Sequence, residues 1–472
     1  MKGLGSRLRA LRRRNNMTQA RLAERLGISA SYLNLIEHGR RPLTAPLLIK
    51  VAGIFDVDLQ SFAPQSDGRM ANNLMEAFSD TIFDGHALTN SDLKDFIETS
   101  PNVARAVLTL YEAFRQSRES ARDLAARVQA DPQLPSLESW RLPSEEVSDL
   151  IQRHKNYFPN LEQAAEDLWQ QASLELDDLY GGLVRYLKDE HNIQVRINRN
   201  GSAAPVRFYD PAKRILWLSE LIPTSSRNFQ VAVQIGLLTQ SPLLDQLAAD
   251  PHLTTDASRS LCRVAMANYF AGAITMPYGV FLDAATKLRY DVEKMAYRFQ
   301  ASFEQVCHRL TTLRREGAQG IPFHFLKVDI AGNISKRFSA SGISFARFSG
   351  ACPRWNLVAA FMTPGRIRRQ LSQMHDGPIY FCIARTVTRP NGGYYTPGAI
   401  SAITLGCEAH HAHQMVYADG MNLKNAEAAV PIGVTCRLCE RTDCDQRVFP
   451  PMMRPLLIDE NRRGVSFYAT TP

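Results

Sequence analysis

Residues 18–44 have the sequence TQARLAERLGISASYLNLIEHGRRPLT, and this stretch decides the fold of the amino-terminal module. Thr18 is suited to cap a first helix that ends at Gly27, where a residue without a side chain favours a left-handed turn. Ser29 can cap a second helix that continues through Glu37. Two short helices joined by a glycine turn predict a helix-turn-helix. Apolar residues that would pack the helices together recur three and four positions apart: Ala20, Leu22, Ala23, Leu26, Leu33 and Ile36.

The charge distribution singles out the same module. Residues 1–50 contain eleven Lys or Arg and two Asp or Glu, a net charge of +9, whereas the other residues contain 44 basic and 45 acidic side chains. The whole positive excess therefore lies in the first fifty residues. A compact basic module on a neutral body favours a polyanionic partner, most often nucleic acid. The alternative interpretation is a basic, solvated tail.

The quoted stretch resembles the Cro and phage-repressor (XRE-like) class of DNA-binding domains over about residues 6–61. In that class the amino-terminal end of the second motif helix enters the major groove, and the resemblance implies double-stranded DNA as partner. It also implies phosphate contacts from the motif start and from the arginines, including those of the first helix. The alternative is a motif used only for packing. The implied base-reading residues are Ser29, Ser31, Tyr32 and Asn34, and the implied backbone contacts are Thr18, Gln19, Arg40 and Arg41.

The length and composition predict a multidomain, globular chain. The 472 residues are 45% hydrophobic and 22% charged, which excludes a mostly disordered protein. No window is apolar enough to span a membrane, and the basic start lacks the apolar core of a secretory signal, so a cytoplasmic protein with reduced cysteines is expected. The predicted domains are a helix-turn-helix head (1–65), a helical connector (66–130), an α+β domain (147–318) and an α+β sensor domain (319–472).

The third domain resembles the ImmA/IrrE-type metallopeptidase fold, on the strings RNFQVAVQIGLL and ANYFAGAITMP. Active members of that family carry H-E-x-x-H on the first of these helices, with two zinc-binding histidines and a glutamate base. This chain has Val233, Gln234 and Leu237 at those positions. None of the three side chains can act as a zinc ligand of this type or as a general base. A non-catalytic domain is therefore expected, and the chain is not expected to be an enzyme. Residues 291–313 again look like a helix-turn-helix, but a packing element is favoured because no basic cluster precedes them.

The last third alternates between strand and helix patterns. Residues 323–330 and 334–338 predict a hairpin, and 343–348 and 379–386 predict further strands. Residues 355–361 and 367–374 have helical spacing. This layout predicts an α+β fold of the kind used for small-molecule sensing.

Three cysteines in C-x2-C-x4-C spacing, Cys436, Cys439 and Cys444, are the sharpest chemical feature of this third. In a reduced compartment such thiols are more often metal ligands than free cysteines. Cys407 is the expected fourth ligand. Zinc and an iron–sulfur cluster both remain open, as does a set of reduced thiols without metal. The competing ligands are His410, His411 and His413, and the cysteines expected to be small core residues are Cys262, Cys307, Cys352 and Cys382.

Across its whole length the chain resembles the bacterial short-chain fatty acyl-CoA-responsive transcriptional regulators of the RamB/PrpR type, on the strings SGACPRWNLVAAF, ISAITLGCEAHHAHQMVYADGM and PIGVTCRLCERTDCDQRVFPP. The resemblance implies control of acetate, propionate, glyoxylate or methylcitrate metabolism, an acyl-CoA effector, and in some members a 4Fe–4S cluster on the cysteine block. A CoA site needs cations for phosphates beside an apolar slot. The residues that offer this mixture are Lys336, Arg337, Arg347, Arg354 and Trp355, although they also fit a solvated strand face beside a core face.

The resulting prediction is a sequence-specific DNA-binding regulator, a homodimer or higher oligomer whose paired heads read half-sites. Two rival functions stay open. One is a metal- or redox-sensing repressor without an acyl-CoA ligand, and the other is a repressor-cleaving metallopeptidase, which the missing H-E-x-x-H disfavours.

Overall fold

The computed structural model describes most of the chain, in two compact units formed by the described residues of 8–118 and of 119–450, and each unit is treated separately. The described helices include none long and apolar enough to cross a membrane. The described positions are residues 8–9, 12, 15, 17–37, 41, 43–55, 68–83, 89–130, 143–199, 205–345, 350–374, 377–389, 394–395, 398–423, 425–436, 439, 441 and 443–450.

The head of the first unit contains α1 (Gln19–Leu26), α2 (Ala30–Glu37) and α3 (Ala45–Phe55). The Thr18 hydroxyl accepts a hydrogen bond from the backbone N–H of Arg21, and Gly27 closes α1 at φ 71°, so both signals in the sequence act as expected. The helices bury a small apolar core made of Leu8, Leu22, Ala23, Leu26, Leu33, Ile36, Leu43 and Val51. The helix-turn-helix prediction is confirmed.

The other described residues of the first unit are mostly helical, as the spacing predicts. It contains α4 (Gly68–Ala77), a 3-10 turn (Thr81–Phe83), α5 (Asn90–Thr99) and the start of α6 (Pro101–Ala130). Thr89 and Asp92 form a reciprocal capping box at the start of α5. The Tyr111 hydroxyl of α6 donates to Asp80 at 3.1 Å, which ties α6 to the turn.

The first part of the second unit is a helical layer around a small mixed sheet. Strand β3 lies between β1, with which it is parallel, and β2, with which it is antiparallel. Gly236 lets α10 approach α12 closely, because a Cβ at this position would lie 2.7 Å from the Phe270 ring. The elements are α7 (Pro143–Arg153), α8 (Pro159–Gln171), α9 (Leu179–His191), β1 (Gln194–Asn198), β2 (Arg207–Asp210), β3 (Ile215–Ser219), α10 (Thr224–Thr239), α11 (Ser241–Ala248) and α12 (Asp256–Thr275).

Three shorter helices, α13 (Tyr278–Lys287), α14 (Val292–Arg298) and α15 (Phe303–Leu310), follow α12. Arg309 of α15 is buried and forms a two-point ion pair with Glu162 of α8, with nitrogen–oxygen distances of 2.5 and 2.9 Å. Because this arginine lies in the segment that looked like a second helix-turn-helix, the contact supports the expected packing role.

The carboxyl-terminal half of the second unit is a six-stranded sheet in the order β5-β4-β8-β7-β6-β9, antiparallel except for β6 and β9. One face contributes Phe325, Phe381 and Leu405 to the core shared with α13–α15. The opposite face packs against Trp355 and its neighbours. The elements are β4 (His324–Asp329), β5 (Ile334–Ser339), α16 (Asn356–Ala359), β6 (Arg368–Gln373), β7 (Ile379–Arg389), β8 (Ala399–Glu408) and β9 (Val430–Pro431).

One element prediction in this half was wrong, a second is not met over its described residues, and two strands, β8 and the two-residue β9, were missed. Within the predicted helix 367–374, residues Arg368–Gln373 form strand β6 instead, because β7 offers a full antiparallel ladder beside them. Residues 343–345 form no strand, and 346–348 lie outside the described residues. Strand β8, in the middle of the sheet, was not predicted because AISAITLGCE lacks clear alternation.

Candidate nucleic-acid interface and effector domain

The start of α2 presents short polar side chains. Ser29, Ser31 and Asn34 are exposed, whereas Tyr32 is half-buried and packs against the core of the head. The Ser29 hydroxyl accepts from the backbone N–H of Tyr32 at 3.1 Å, so part of its hydrogen-bonding capacity already caps the helix. Ser31 and Asn34 remain accessible for base edges.

A buried carboxylate, Glu37, accepts hydrogen bonds that position the side chains of this surface. Glu37 accepts from the Arg12 guanidinium at 2.7 and 2.9 Å and from the Gln19 side-chain amide at 3.0 Å. The same Gln19 amide also donates to the Asn34 side chain at 3.3 Å. The hydrogen bonds to Glu37, partly opposed by burial, raise the pKa of Arg12.

This arrangement changes the role expected for two residues. Arg12 belongs to the first-helix arginines expected to contact phosphate, but it is tied to Glu37 inside the head. Gln19 hydrogen-bonds to Asn34 and Glu37 and so helps to position both side chains. The phosphate contact of Gln19 that the resemblance implies stays a prediction. Arg41 is exposed and stays available for a phosphate, and Arg40 lies outside the described residues.

On α10, the positions at which a peptidase would have its zinc ligands and base face the hydrophobic core. Val233 is fully buried, Gln234 is buried, and Leu237 is half-buried against the same core. Helix α10 packs against the length of α12, so these side chains stabilise the helix pair. No water-activating group is present at the three positions.

Two of the proposed effector cations tie the sheet to the helical part of this unit. Lys336 pairs with Glu304 of α15 at 3.1 Å, and Lys327 of the neighbouring strand reaches the same carboxylate at 2.7 Å. Arg337 pairs with Glu145 of α7. Cations neutralised in this way are poorly placed to bind phosphates, so the alternative interpretation as a strand face is favoured for both residues.

The other proposed effector residues lie apart from these ion pairs. Arg354 is about one-quarter exposed and lies 3.9 Å from Asp445. Trp355 is fully buried on the sheet face that it shares with Cys352 and Cys382. Arg347 lies outside the described residues.

The four proposed metal ligands do not converge. Cys407 is buried in β8, and its sulfur contacts the Met415 sulfur at 3.8 Å on the face shared with α13–α15. The described part of the chain contains no group of three His, Cys, Asp or Glu placed to hold a metal, His410, His411 and His413 included. Cys407 therefore lies apart from the cysteine loop, on the other face of the sheet.

A different cysteine lies beside the loop. Burial raises the pKa of the Cys352 thiol, the backbone N–H groups of Gly433 and Arg354 lower it, and the thiols of Cys436 and Cys439 raise it further. A Cβ at Gly433 would lie 3.0 Å from the Cys439 sulfur, so this glycine makes room for the second thiol. Sequence reasoning missed Cys352 because it is 84 residues from Cys436 along the chain.

The cysteine loop is held from inside by one guanidinium. Arg447 is buried and donates to the carbonyl oxygens of Cys436 and Cys439, both at 2.6 Å, and to that of Arg441. This cation therefore links three described positions of the loop, 436, 439 and 441, through their carbonyl oxygens.

Comparisons with known proteins agree with this architecture. Three family models match: "Helix-turn-helix" over residues 8–62, "IrrE N-terminal-like domain" over 188–311, and "Short-chain fatty acyl coenzyme A regulator, C-terminal" over 312–468. A solved structure of a Mycobacterium tuberculosis transcriptional regulator superposes with a TM-score of 0.67 at 40% identity, covering 70% of this chain and all of the other.

Full-length relatives are similar throughout. The HTH-type transcriptional regulator PrpR of Mycobacterium tuberculosis is 38% identical, with 99% of this chain and 96% of PrpR covered. RamB of the same organism and the propionyl-CoA carboxylase regulator of Cereibacter sphaeroides are each 39% identical, with 98% of both chains covered. The chain therefore belongs to the family of helix-turn-helix transcriptional regulators that carry the short-chain fatty acyl coenzyme A regulator domain.

Proposed function

We propose that this regulator binds specific DNA sites through α2 and changes its DNA affinity when the carboxyl-terminal domain binds a short-chain acyl-CoA. The observation that carries the proposal is the polar start of α2, where Ser31 and Asn34 are exposed above the buried Glu37. The names of the relatives supply the metabolic context, since one of them is described as a regulator of propionyl-CoA carboxylase.

The proposed mechanism is linkage between two binding events. An acyl-CoA that binds one arrangement of the protein more tightly than another shifts the population, and DNA affinity follows by the same coupling free energy. Paired heads in a homodimer would read two half-sites, so a palindromic operator is expected.

DNA selection from a random pool, with and without acetyl-CoA and propionyl-CoA, tests this function. Enrichment of a two-fold symmetric site, with recovery that changes when acyl-CoA is added, is the expected result. Recovery of unrelated sequences would overturn sequence-specific binding. A specific site that ignores every acyl-CoA tested would favour the rival metal- or redox-sensing repressor.

A proteolytic function is not proposed, because Val233, Gln234 and Leu237 provide neither zinc ligands nor a base. Incubation of the purified protein with candidate repressors and Zn²⁺ should leave those repressors intact. Metal-dependent cleavage would overturn this conclusion.

A metal centre is a further part of the proposal, with Cys352 in place of Cys407 beside Cys436, Cys439 and Cys444. Two observations support it: the backbone N–H groups of Gly433 and Arg354 lower the pKa of the Cys352 thiol against the effect of burial, and Gly433 leaves room for Cys439. Donors to sulfur are expected around thiolates that hold zinc or an iron–sulfur cluster. The described thiols do not form a closed ligand set, so binding would require the loop to close around the metal.

Iron, sulfide and zinc contents of protein prepared without oxygen test the metal centre. Cys352→Ser should lower the bound metal or cluster strongly, whereas Cys407→Ser should leave it unchanged because that sulfur lies on the opposite face of the sheet. The reverse ranking, or no metal in the wild-type protein, would contradict the assignment.

A further inference from the structure

One row of residues crosses the carboxyl-terminal sheet on the face that packs against Trp355. His324 of β4 pairs with Gly406 of β8, and Gly406 pairs with Cys382 of β7. His324 and Cys382 are therefore two strands apart, roughly 10 Å between the outer strands by ordinary sheet spacing. A side chain on the middle strand would normally separate them.

Gly406 removes that separation. A Cβ at this position would lie 2.3 Å from His324 Nε2 and 2.8 Å from Cys382 Sγ, so only glycine fits beneath the two side chains. They meet above it, with 3.4 Å between Cys382 Sγ and His324 Nε2. The other ring nitrogen, His324 Nδ1, lies 2.8 Å from the Ser341 hydroxyl oxygen. All three side chains are buried.

This arrangement places a thiol within hydrogen-bond reach of a base, next to a third group that orients the base. If Nδ1–H donates to Ser341, then Nε2 carries the lone pair that faces the thiol. Burial lowers the pKa of His324 to about 3 and raises that of Cys382 to about 12, so the resting pair is a neutral imidazole and a neutral thiol. A neutral imidazole is the form that can accept a proton.

A donor without an acceptor lies beside the same thiol. The Trp355 side chain is buried, and burial raises the pKa of the Cys382 thiol while Ser372 and then the Trp355 indole lower it. Nevertheless Trp355 Nε1 has no acceptor at hydrogen-bond distance among the described residues. An unsatisfied buried donor is costly, and here it is available to an oxyanion formed next to the sulfur.

We propose that Cys382 accepts the acyl group of a short-chain acyl thioester, so that the regulator records its effector as a covalent acyl-cysteine. The inference rests on the proposed acyl-CoA response and specifies its chemistry. Cys382 Sγ attacks the thioester carbonyl carbon while its proton moves to His324 Nε2. The tetrahedral adduct then loses the CoA sulfur, which takes that proton, giving acyl-S-Cys382 and free CoA-SH without any redox change.

The surroundings of the pair favour storage of the acyl group over turnover. Tyr380 and Phe345 place their rings 5.6 and 5.8 Å from the His324 ring, and the sheet closes the other side, so water has little access for hydrolysis. Phe345 is half-buried and lies outside the helices and strands, so its ring can move with less cost than those packed on the sheet. Entry of the thioester is assigned to the Phe345 side.

Intact-mass measurement of the full-length protein, incubated with propionyl-CoA and then separated from it, tests the inference. One acyl group for each chain is expected, removable by neutral hydroxylamine as a thioester is, together with an equal amount of released CoA-SH. Cys382→Ser, which keeps nearly the same shape, should abolish this product. His324→Gln should slow it by about 100-fold or more, the usual contribution of a general base.

Cys407→Ser is the matched control, because Cys407 is equally buried in the same sheet but faces the opposite side and contacts Met415. It should be acylated like the wild-type protein, and Phe345→Ala should be acylated faster. Circular dichroism checks that each variant folds. If His324→Gln does not fold, the milder change Ser341→Ala replaces it as the test of the base, and it should also slow acylation.

Absence of acylation in the wild-type protein, or acylation unaffected by Cys382→Ser, would overturn the inference. DNA binding that still responds to acyl-CoA under those conditions would leave the proposed function intact, so the two failures are distinguishable.

Discussion

Glu37 is one of two acidic residues among the first fifty, and it lies in the interior of a module whose net charge is +9. Its carboxylate binds Arg12 at two points and Gln19 at a third. A buried charge is tolerated only when it is paired, and removing one partner leaves the other uncompensated. The same carboxylate holds Gln19 against Asn34, so one residue links the stability of the head to the position of a proposed base reader.

Glu37→Gln should destabilise the head by about 2–4 kcal/mol, because Arg12 would be left partly buried without its anion. Hydrogen–deuterium exchange of the full-length protein should show faster exchange in α1 and α2. Glu24→Gln, an exposed change on α1, is the control and should leave exchange unchanged. Equal protection in the two variants would mean that the ion pair contributes little.

At the scale of elements, α2 separates two kinds of DNA contact. Asn34 lies on the exposed side of α2, where a side-chain amide can bind a base edge. Arg41 lies in the segment after the helix, where its charge can attract a phosphate but cannot distinguish one base from another. The sequence predicts that Asn34 supplies specificity and Arg41 supplies affinity, and this stays a prediction. The structure adds that the Gln19 side chain hydrogen-bonds to Asn34 and so orients it.

Asn34→Ala should reduce discrimination between operator and scrambled DNA by about 1–3 kcal/mol while the salt dependence stays unchanged. Arg41→Ala should weaken binding to both DNAs equally and reduce the slope of log K against log salt by about 1. Fluorescence anisotropy over a series of salt concentrations measures both quantities. If the two variants behave alike, the assignment of base and phosphate contacts is wrong.

At the scale of the second unit, ion pairs join helices that precede the six-stranded sheet to strands of that sheet. Glu145 and Glu304 belong to helices before the sheet, and they pair with Arg337 and with Lys327 and Lys336 on its strands. Beside this junction lies His308, whose pKa burial lowers to about 4, with Lys336 and Arg309 contributing in the same direction against Glu304. The junction therefore contains a histidine that the fold keeps neutral.

The stability of this unit should fall on mild acidification. A histidine whose folded pKa lies below its unfolded value of about 6.5 contributes fully above pH 6.5, and its contribution is lost as the pH falls towards 4. For His308 the loss amounts to about 3 kcal/mol at most. Urea unfolding at several pH values should show a shallower pH dependence for His308→Gln than for the exposed control His413→Gln. Identical pH profiles would contradict the prediction.

The sequence by itself determined the head, the replacement of the H-E-x-x-H residues and the presence of a hairpin at the start of the last third. These features depend on neighbours within a few residues: Thr18 caps its own helix, Gly27 ends it, and Val233, Gln234 and Leu237 occupy one stretch of one helix. Local spacing and side-chain chemistry are sufficient for such predictions.

The tertiary structure decided what depends on distant partners. The ladder with β7 made a strand of Arg368–Gln373 despite their helical spacing, and the same sheet separated Cys407 from the cysteine loop. Cys352 lies near Cys436, 84 residues further along the chain, close enough for the second thiol to raise the pKa of the first. His324 meets Cys382, 58 residues away, because Gly406 on the strand between them has no side chain. Strand pairing sets these contacts, and no local pattern encodes which strands become neighbours.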